Sequence, residues 1–163
     1  MLRGLFTTLK SMFTKPVTIQ YPEQKRPVRE RFRGRHELKR YDNGLEKCIG
    51  CSLCAASCPS DAIFVEASEN TDEERYSPGE RYASTYQINM LRCIFCGFCE
   101  DACPTEAIVL EKDYELSYTD HLSAIYDKAR LIVKVPEGGS PTPQKTEPGV
   151  YTRSVPEMKD PTD

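Results

Sequence analysis

The chain has 163 residues, no Trp and 9% aromatic residues, and its mean hydropathy is negative, so a large apolar core is excluded and fold stability has to come from elsewhere. The net charge of −3 conceals a division: residues 1–47 hold 12 Lys/Arg against 5 Asp/Glu, and the remainder 10 against 20. The opening "MLRGLFTTLKSMFTK" has no continuous apolar stretch and no small-residue cleavage site, and no segment is long and apolar enough for a transmembrane helix. A reducing, cytoplasmic-side location is therefore expected, where cysteines ligate metals in preference to forming disulfides.

In chain order, residues 2–13 place Leu2, Leu5, Phe6, Leu9, Met12 and Phe13 at helical spacing opposite Arg3, Thr7, Thr8, Lys10 and Ser11. This predicts a short basic amphipathic helix, ended by Pro16. Pro16, Pro22 and Pro27 then favour an extended, Arg-rich path that lies on something instead of folding alone. The expected organisation is a helix and extended docking segment at 1–22, a basic docking segment at 23–44, a cysteine domain at 45–112, a C-terminal helix at 113–135 and a Pro-rich tail at 136–163. Inside the cysteine domain, strands are expected at 62–66, 86–91 and 107–111, with 67–85 as a polar, turn-rich surface insertion. "DHLSAIYDKARLI" (120–132) reads as the C-terminal helix. The tail, with six prolines from Pro136 onward, is expected to be disordered unless it lies along a partner.

All eight cysteines fall between Cys48 and Cys103, in two quartets of pattern C-x2-C-x2-C-x3-C-P related by an offset of 45 residues. Each quartet is followed by a short apolar strand candidate, so the domain reads as two copies of one unit. This is the bacterial-type [4Fe–4S] pattern, in which the fourth cysteine of each run serves the other cluster. One cluster is expected on Cys48, Cys51, Cys54 and Cys103, and the second on Cys93, Cys96, Cys99 and Cys58. The fold class that follows is α+β: a ferredoxin-like, pseudo-two-fold domain holding two [4Fe–4S] clusters, with an N-terminal amphipathic helix and an extended C-terminal tail. Gly50, Ser52, Ala55, Ala56 and Gly97 would let backbone approach the sulfurs, while Ile49, Ile94 and Phe95 would exclude water. Two four-cysteine zinc sites are the competing use of eight cysteines, but zinc modules favour separated C-x2-C pairs.

Fully ligated cubanes side by side form an electron wire. No Gly-rich dinucleotide loop and no P-loop is present, and the two histidines, His36 and His121, read as structural or solvated, so no catalytic residue is assigned. The helix at 2–13 suits a membrane interface or a partner subunit equally. The Arg-rich stretch 25–40 is interrupted by Glu30 and Glu37 and is poor in aromatics, which argues against nucleic acid and for docking to a partner or anionic headgroups.

The run "PVTIQYPEQKRPVRERFRGRHEL" (16–38), both cysteine motifs, and "YELSYTDHLSAIYDKARL" (114–131) closely resemble subunit I of respiratory complex I, the NADH–quinone oxidoreductase. The resemblance covers residues 1 to about 132 and is most specific at "YPE", "RFRGRH" and "YELS". It implies a peripheral membrane protein on the cytoplasmic face of a bacterial cell membrane, at the junction of the peripheral and membrane arms. There the clusters would relay electrons from an upstream cluster-bearing subunit to the terminal cluster beside the quinone site of a proton-pumping translocase. Residues 1–15 would be a membrane-surface foot, and the chain would work among other subunits, not as a stand-alone homo-oligomer. The same relay in a ferredoxin- or hydrogenase-linked relative, and a free two-cluster ferredoxin, stay open on sequence alone.

Overall fold

The computed structural model describes residues 2–145 and separates into two compact units, divided between Glu30 and Arg31. In the first unit, helix α1 spans Leu2–Met12, with none of its residues buried. Its hydroxyls bond back onto the preceding turn: Thr7 Oγ1 donates to the Arg3 carbonyl at 3.0 Å and Ser11 Oγ to that of Thr8 at 2.8 Å. That arrangement removes polar demand from the Thr/Ser side of the helix. Leu2, Leu5, Phe6, Leu9, Met12 and Phe13 are all exposed. No helix among the described residues is long and apolar enough to cross a membrane.

The second unit is built from β1 (His36–Leu38), α2 (Leu53–Ala56), β2 (Ile63–Glu69), β3 (Arg81–Asn89), α3 (Phe98–Asp101), β4 (Ile108–Leu110), β5 (Ile125–Asp127) and α4 (Lys128–Leu131). Two antiparallel sheets form, β1–β4 and β2–β3–β5. The strand before each cysteine quartet therefore pairs with the strand after the other quartet. This exchange ties the two repeats together at the level of backbone before any side chain is considered.

Between the sheets and the short helices sits a core of Leu38, Ala83, Tyr86, Ile88, Met90, Ile108, Leu110, Tyr126 and Leu131, with Cys54 and Cys99 in the same cluster. Strand β3 buries Ala83 and then Tyr86 and Ile88, a change from odd to even positions. The change coincides with an irregularity in the β2–β3 register between Glu66 and Ala67, which skips Ser84. A bulge of this kind turns the strand by one residue and swaps its faces.

Three expectations are corrected. Residues 120–132 do not form a helix, and the expected helix at 113–135 shrinks to Lys128–Leu131. Ile125–Asp127 instead pairs with Gln87–Asn89, because β3 would otherwise leave an unpaired edge beside the buried Tyr126. Asp127 then caps α4 by accepting from the Arg130 N–H. The insertion 67–85 is in large part strand, since β2 and β3 continue through Glu69 and Arg81 as one long hairpin. Part of the tail is also tied down: Arg75 and Gln144 form a bridge, and the Gln144 side chain donates to the Asn43 and Ser140 carbonyls at 2.9 and 2.8 Å. The rest of the tail, 146–163, lies outside the described residues.

Candidate metal centre

Each quartet follows the same course. A loop carries the first two cysteines, a one-turn helix carries the third, and the turn after that helix carries the fourth before the next strand. Cys54 on α2 and Cys99 on α3 are buried. The repeat is preserved in the backbone more faithfully than in residue type, for positive φ recurs at pairs offset by 45. Gly50 (67°) matches Phe95 (53°), Ser52 (60°) matches Gly97 (85°), and Asp61 (49°) matches Glu106 (48°). Non-glycine residues adopt this region at a cost, so its recurrence marks a conformation that the loop requires.

That conformation turns N–H groups onto sulfur. The Phe95 N–H donates to Cys93 Sγ at 3.4 Å, the Ala62 N–H to Cys58 Sγ at 3.3 Å, and the Ala107 N–H to Cys103 Sγ at 3.2 Å. The Ser60 and Thr105 hydroxyls lie 3.6 Å from Cys58 and Cys103 respectively. Burial alone would raise the Cys58 and Cys103 thiols, but these hydrogen bonds together outweigh it and hold both below the ordinary thiol value. Burial pushes Cys48 up to about 11 and Cys99 up to about 12, with neighbouring cysteines adding repulsion. Loading iron onto these thiols therefore displaces protons.

All eight cysteines are free thiols. Cys48, Cys51, Cys54 and Cys103 line one cavity together with Leu38, Ile49, Val65, Tyr86 and Ile108. Mutual repulsion links Cys93 with Cys58 and Cys96, and Cys99 with Cys93, Cys96 and Cys54. Cys103, the fourth cysteine of the second run, thus lies with the first three of the first run, and Cys58 lies near Cys93 of the second. Among the described residues no group of three or more His, Cys, Asp or Glu converges on the point that one metal ion would occupy. The donor set is all sulfur and receives backbone N–H hydrogen bonds, which fits cubane clusters.

Residues 47–113 match the 4Fe-4S dicluster domain. The chain thus carries an iron–sulfur electron-relay domain, and its eight cysteines fit two [4Fe–4S] clusters. Over 95% of its length the chain is also similar, at 29% identity and a TM-score of 0.48, to 69% of a chain in the membrane-bound sulfane sulfur reductase, an archaeal respiratory membrane complex.

Two residues lie beside the cysteines without belonging to the cysteine motifs. Tyr86 in β3 is 1% exposed, and its hydroxyl lies 3.3 Å from Cys54 Sγ. His36 in β1, which the sequence left as structural or solvated, is 2% exposed, with Nε2 3.8 Å from Cys93 Sγ and its ring against Phe95 at 5.6 Å. Burial lowers the His36 imidazole to about 4. His121 is exposed. Of the residues expected to exclude water, Ile49 lies 3.4 Å from where a Cβ on Gly79 would stand. Its repeat partner Ile94 is 63% exposed. The hairpin covers one loop and has no counterpart over the other.

Proposed function

We propose that this chain is the electron-relay subunit of a membrane-associated NADH:quinone oxidoreductase of the respiratory complex I type. The observation that carries the reading is the meeting of the two family-specific stretches with the cysteine domain. From "RFRGRH", His36 contacts Cys93, while Gly34 is buried where a Cβ would collide with the Glu111 and Asp113 carbonyls. From "YELS", Tyr114 packs edge-on against Phe32 at 5.9 Å and Leu116 packs on the core, as does Tyr118 just after it. Residues beyond the ferredoxin-like repeat therefore build the walls of the metal centre, which a minimal carrier would not need.

When bound, each cluster takes up and gives up one electron. Cys48, Cys51, Cys54 and Cys103 would hold one, and Cys93, Cys96, Cys99 and Cys58 the other. Tyr86, Ile88 and Ile108 keep water away between them. No side chain here serves as acid, base or nucleophile, so oxidation of NADH and reduction of quinone fall to neighbouring subunits. Exposed Ile94, Phe98 and Leu53 offer apolar surface close to the sulfurs, suited to burial by the upstream and terminal-cluster subunits. The exposed apolar residues of α1 suit a membrane-surface foot on the cytoplasmic face.

Native separation of gently solubilised membranes, stained for NADH-dependent reduction and probed for this chain, tests the proposal. Co-migration with a large NADH-oxidising assembly is expected. Migration with a large assembly lacking that activity would replace NADH by ferredoxin or hydrogen as the electron source, and a small brown soluble protein would make the chain a mobile carrier.

A further inference from the structure

The hydrogen bonds at the fourth cysteines follow the repeat: the Ala62 and Ala107 N–H groups are offset by 45 residues, as are the Ser60 and Thr105 hydroxyls. The side-chain groups that address the other cysteines do not. Tyr86 addresses Cys54, whereas its repeat partner Cys99 has the Glu100 N–H and, among the described residues, no side-chain donor. His36 addresses Cys93, whereas the partner Cys48 has the Gly50 N–H and, among the described residues, no side-chain donor. Cys54 and Cys93 belong to different ligand sets, so each set carries one extra donor of its own.

We propose that Tyr86 and His36 are positioning residues that tune the two clusters separately, each through a single hydrogen bond to one ligating sulfur. A ligating cysteine is a thiolate and can only accept, which fixes the direction of both bonds. The Tyr86 O–H donates to Cys54 Sγ. His36 donates from Nε2–H to Cys93 Sγ, leaving the buried Nδ1, which has no hydrogen-bond partner, as the bare nitrogen. An electron arriving from a one-electron donor adds negative charge that spreads onto the sulfurs. A fixed O–H or N–H dipole stabilises that form more than the oxidised one and raises the reduction potential. No proton moves in the step, and both X–H bonds stay intact. The inference rests on the cluster-holding part of the function proposed above and not on which complex the chain serves.

The test uses the full chain, reconstituted anaerobically with ferrous iron and sulfide, and a redox titration with dithionite followed by electron paramagnetic resonance at fixed pH. Tyr86→Phe is expected to shift the reduction equilibrium of one cluster about tenfold toward the oxidised form, or about 59 mV for a one-electron couple, leaving the other unchanged. His36→Phe is expected to shift the other cluster in the same direction, and His36→Gln, which keeps an N–H, to restore part of the shift. Placing 3-fluorotyrosine at position 86 keeps the packing and strengthens the O–H donor, so the first cluster should move upward. Potentials that stay put, or move together in both clusters, while iron remains at full occupancy would overturn the proposal. If a Phe variant loses iron, the fluorotyrosine protein decides, and an unmoved potential there would overturn the proposal too. A wild-type chain that binds no clusters would instead defeat the function proposed above.

Discussion

Gly50 adopts a φ of 67°, yet its repeat partner Phe95 adopts 53° with a full side chain. The torsion alone therefore does not require glycine. What differs is the neighbour: a Cβ on Gly50 would stand 2.9 Å from both Ala67 Cβ and the Tyr82 carbonyl oxygen, on the hairpin that covers this loop. Phe95 meets the His36 ring instead. Gly50→Ala is expected to cost about 1–3 kcal/mol and to lower the iron bound per chain after reconstitution. Undiminished iron and an unchanged unfolding midpoint would show that the hairpin yields easily. The cysteines themselves were legible from spacing, because cubane ligation imposes a short-range pattern. The contacts of Tyr86 and His36 with sulfur were not, although His36 closes "RFRGRH", since a donor brought to a sulfur from 32 or 57 residues away is not announced by the cysteine spacing.

At the scale of elements, the clearest surprise is the hairpin made of β2, β3 and the turn between them. Its polar composition suggested a loop, but a long antiparallel pair needs few apolar residues when one face looks outward. Its far end is fixed by a buried cation. Lys128 Nζ lies 2.7 Å from Glu46 Oε2 as an ion pair without a well-directed hydrogen bond, and it donates to the Ala83 carbonyl at 2.6 Å. It also stands over the Tyr76 and Tyr82 rings, 5.5 and 5.1 Å from their centroids. The side chains of Lys128 and Glu46 are 18% and 4% exposed. Lys128→Met leaves that carboxylate buried and unpaired, and is expected to destabilise the unit by about 3 kcal/mol, read as a fall in the thermal midpoint of the reconstituted protein. Adding Glu46→Gln should recover part of the loss. Equal midpoints for wild type and Lys128→Met would show that the pair contributes nothing. The sequence placed helix over 120–132 because its apolar spacing suits either structure for a few residues. Pairing with β3 decided for strand at Ile125–Asp127.

For the whole molecule, metal would add to a small apolar core. The two sheets exchange strands between the repeats, and crossed ligation would interleave the cysteine sets in the same sense, so cluster loading and folding of this unit are expected to be coupled. The 2–30 unit is a different case, since α1 buries none of its residues. Removing residues 1–15 is expected to leave iron content and both cluster signals unchanged while weakening attachment to membranes. Equal recovery in the membrane fraction with and without those residues would refute the role given to the helix. This division was readable from the charge asymmetry and the proline spacing, but the boundary was not. The basic stretch 23–44 was read as one docking segment, whereas the second unit begins at Arg31, and His36–Leu38 pairs with Ile108–Leu110.

Whether the fourth cysteine of each run serves the other run's cluster is tested by the spectrum of Cys58→Ala. Electron paramagnetic resonance of the reduced full-length variant would be compared with Cys51→Ala and Cys96→Ala. Cys58→Ala is expected to lose or alter the same signal as Cys96→Ala and to retain the one that Cys51→Ala removes. Loss of the Cys51-dependent signal instead would mean that each run of four closes on its own cluster, and the crossed relay would be wrong.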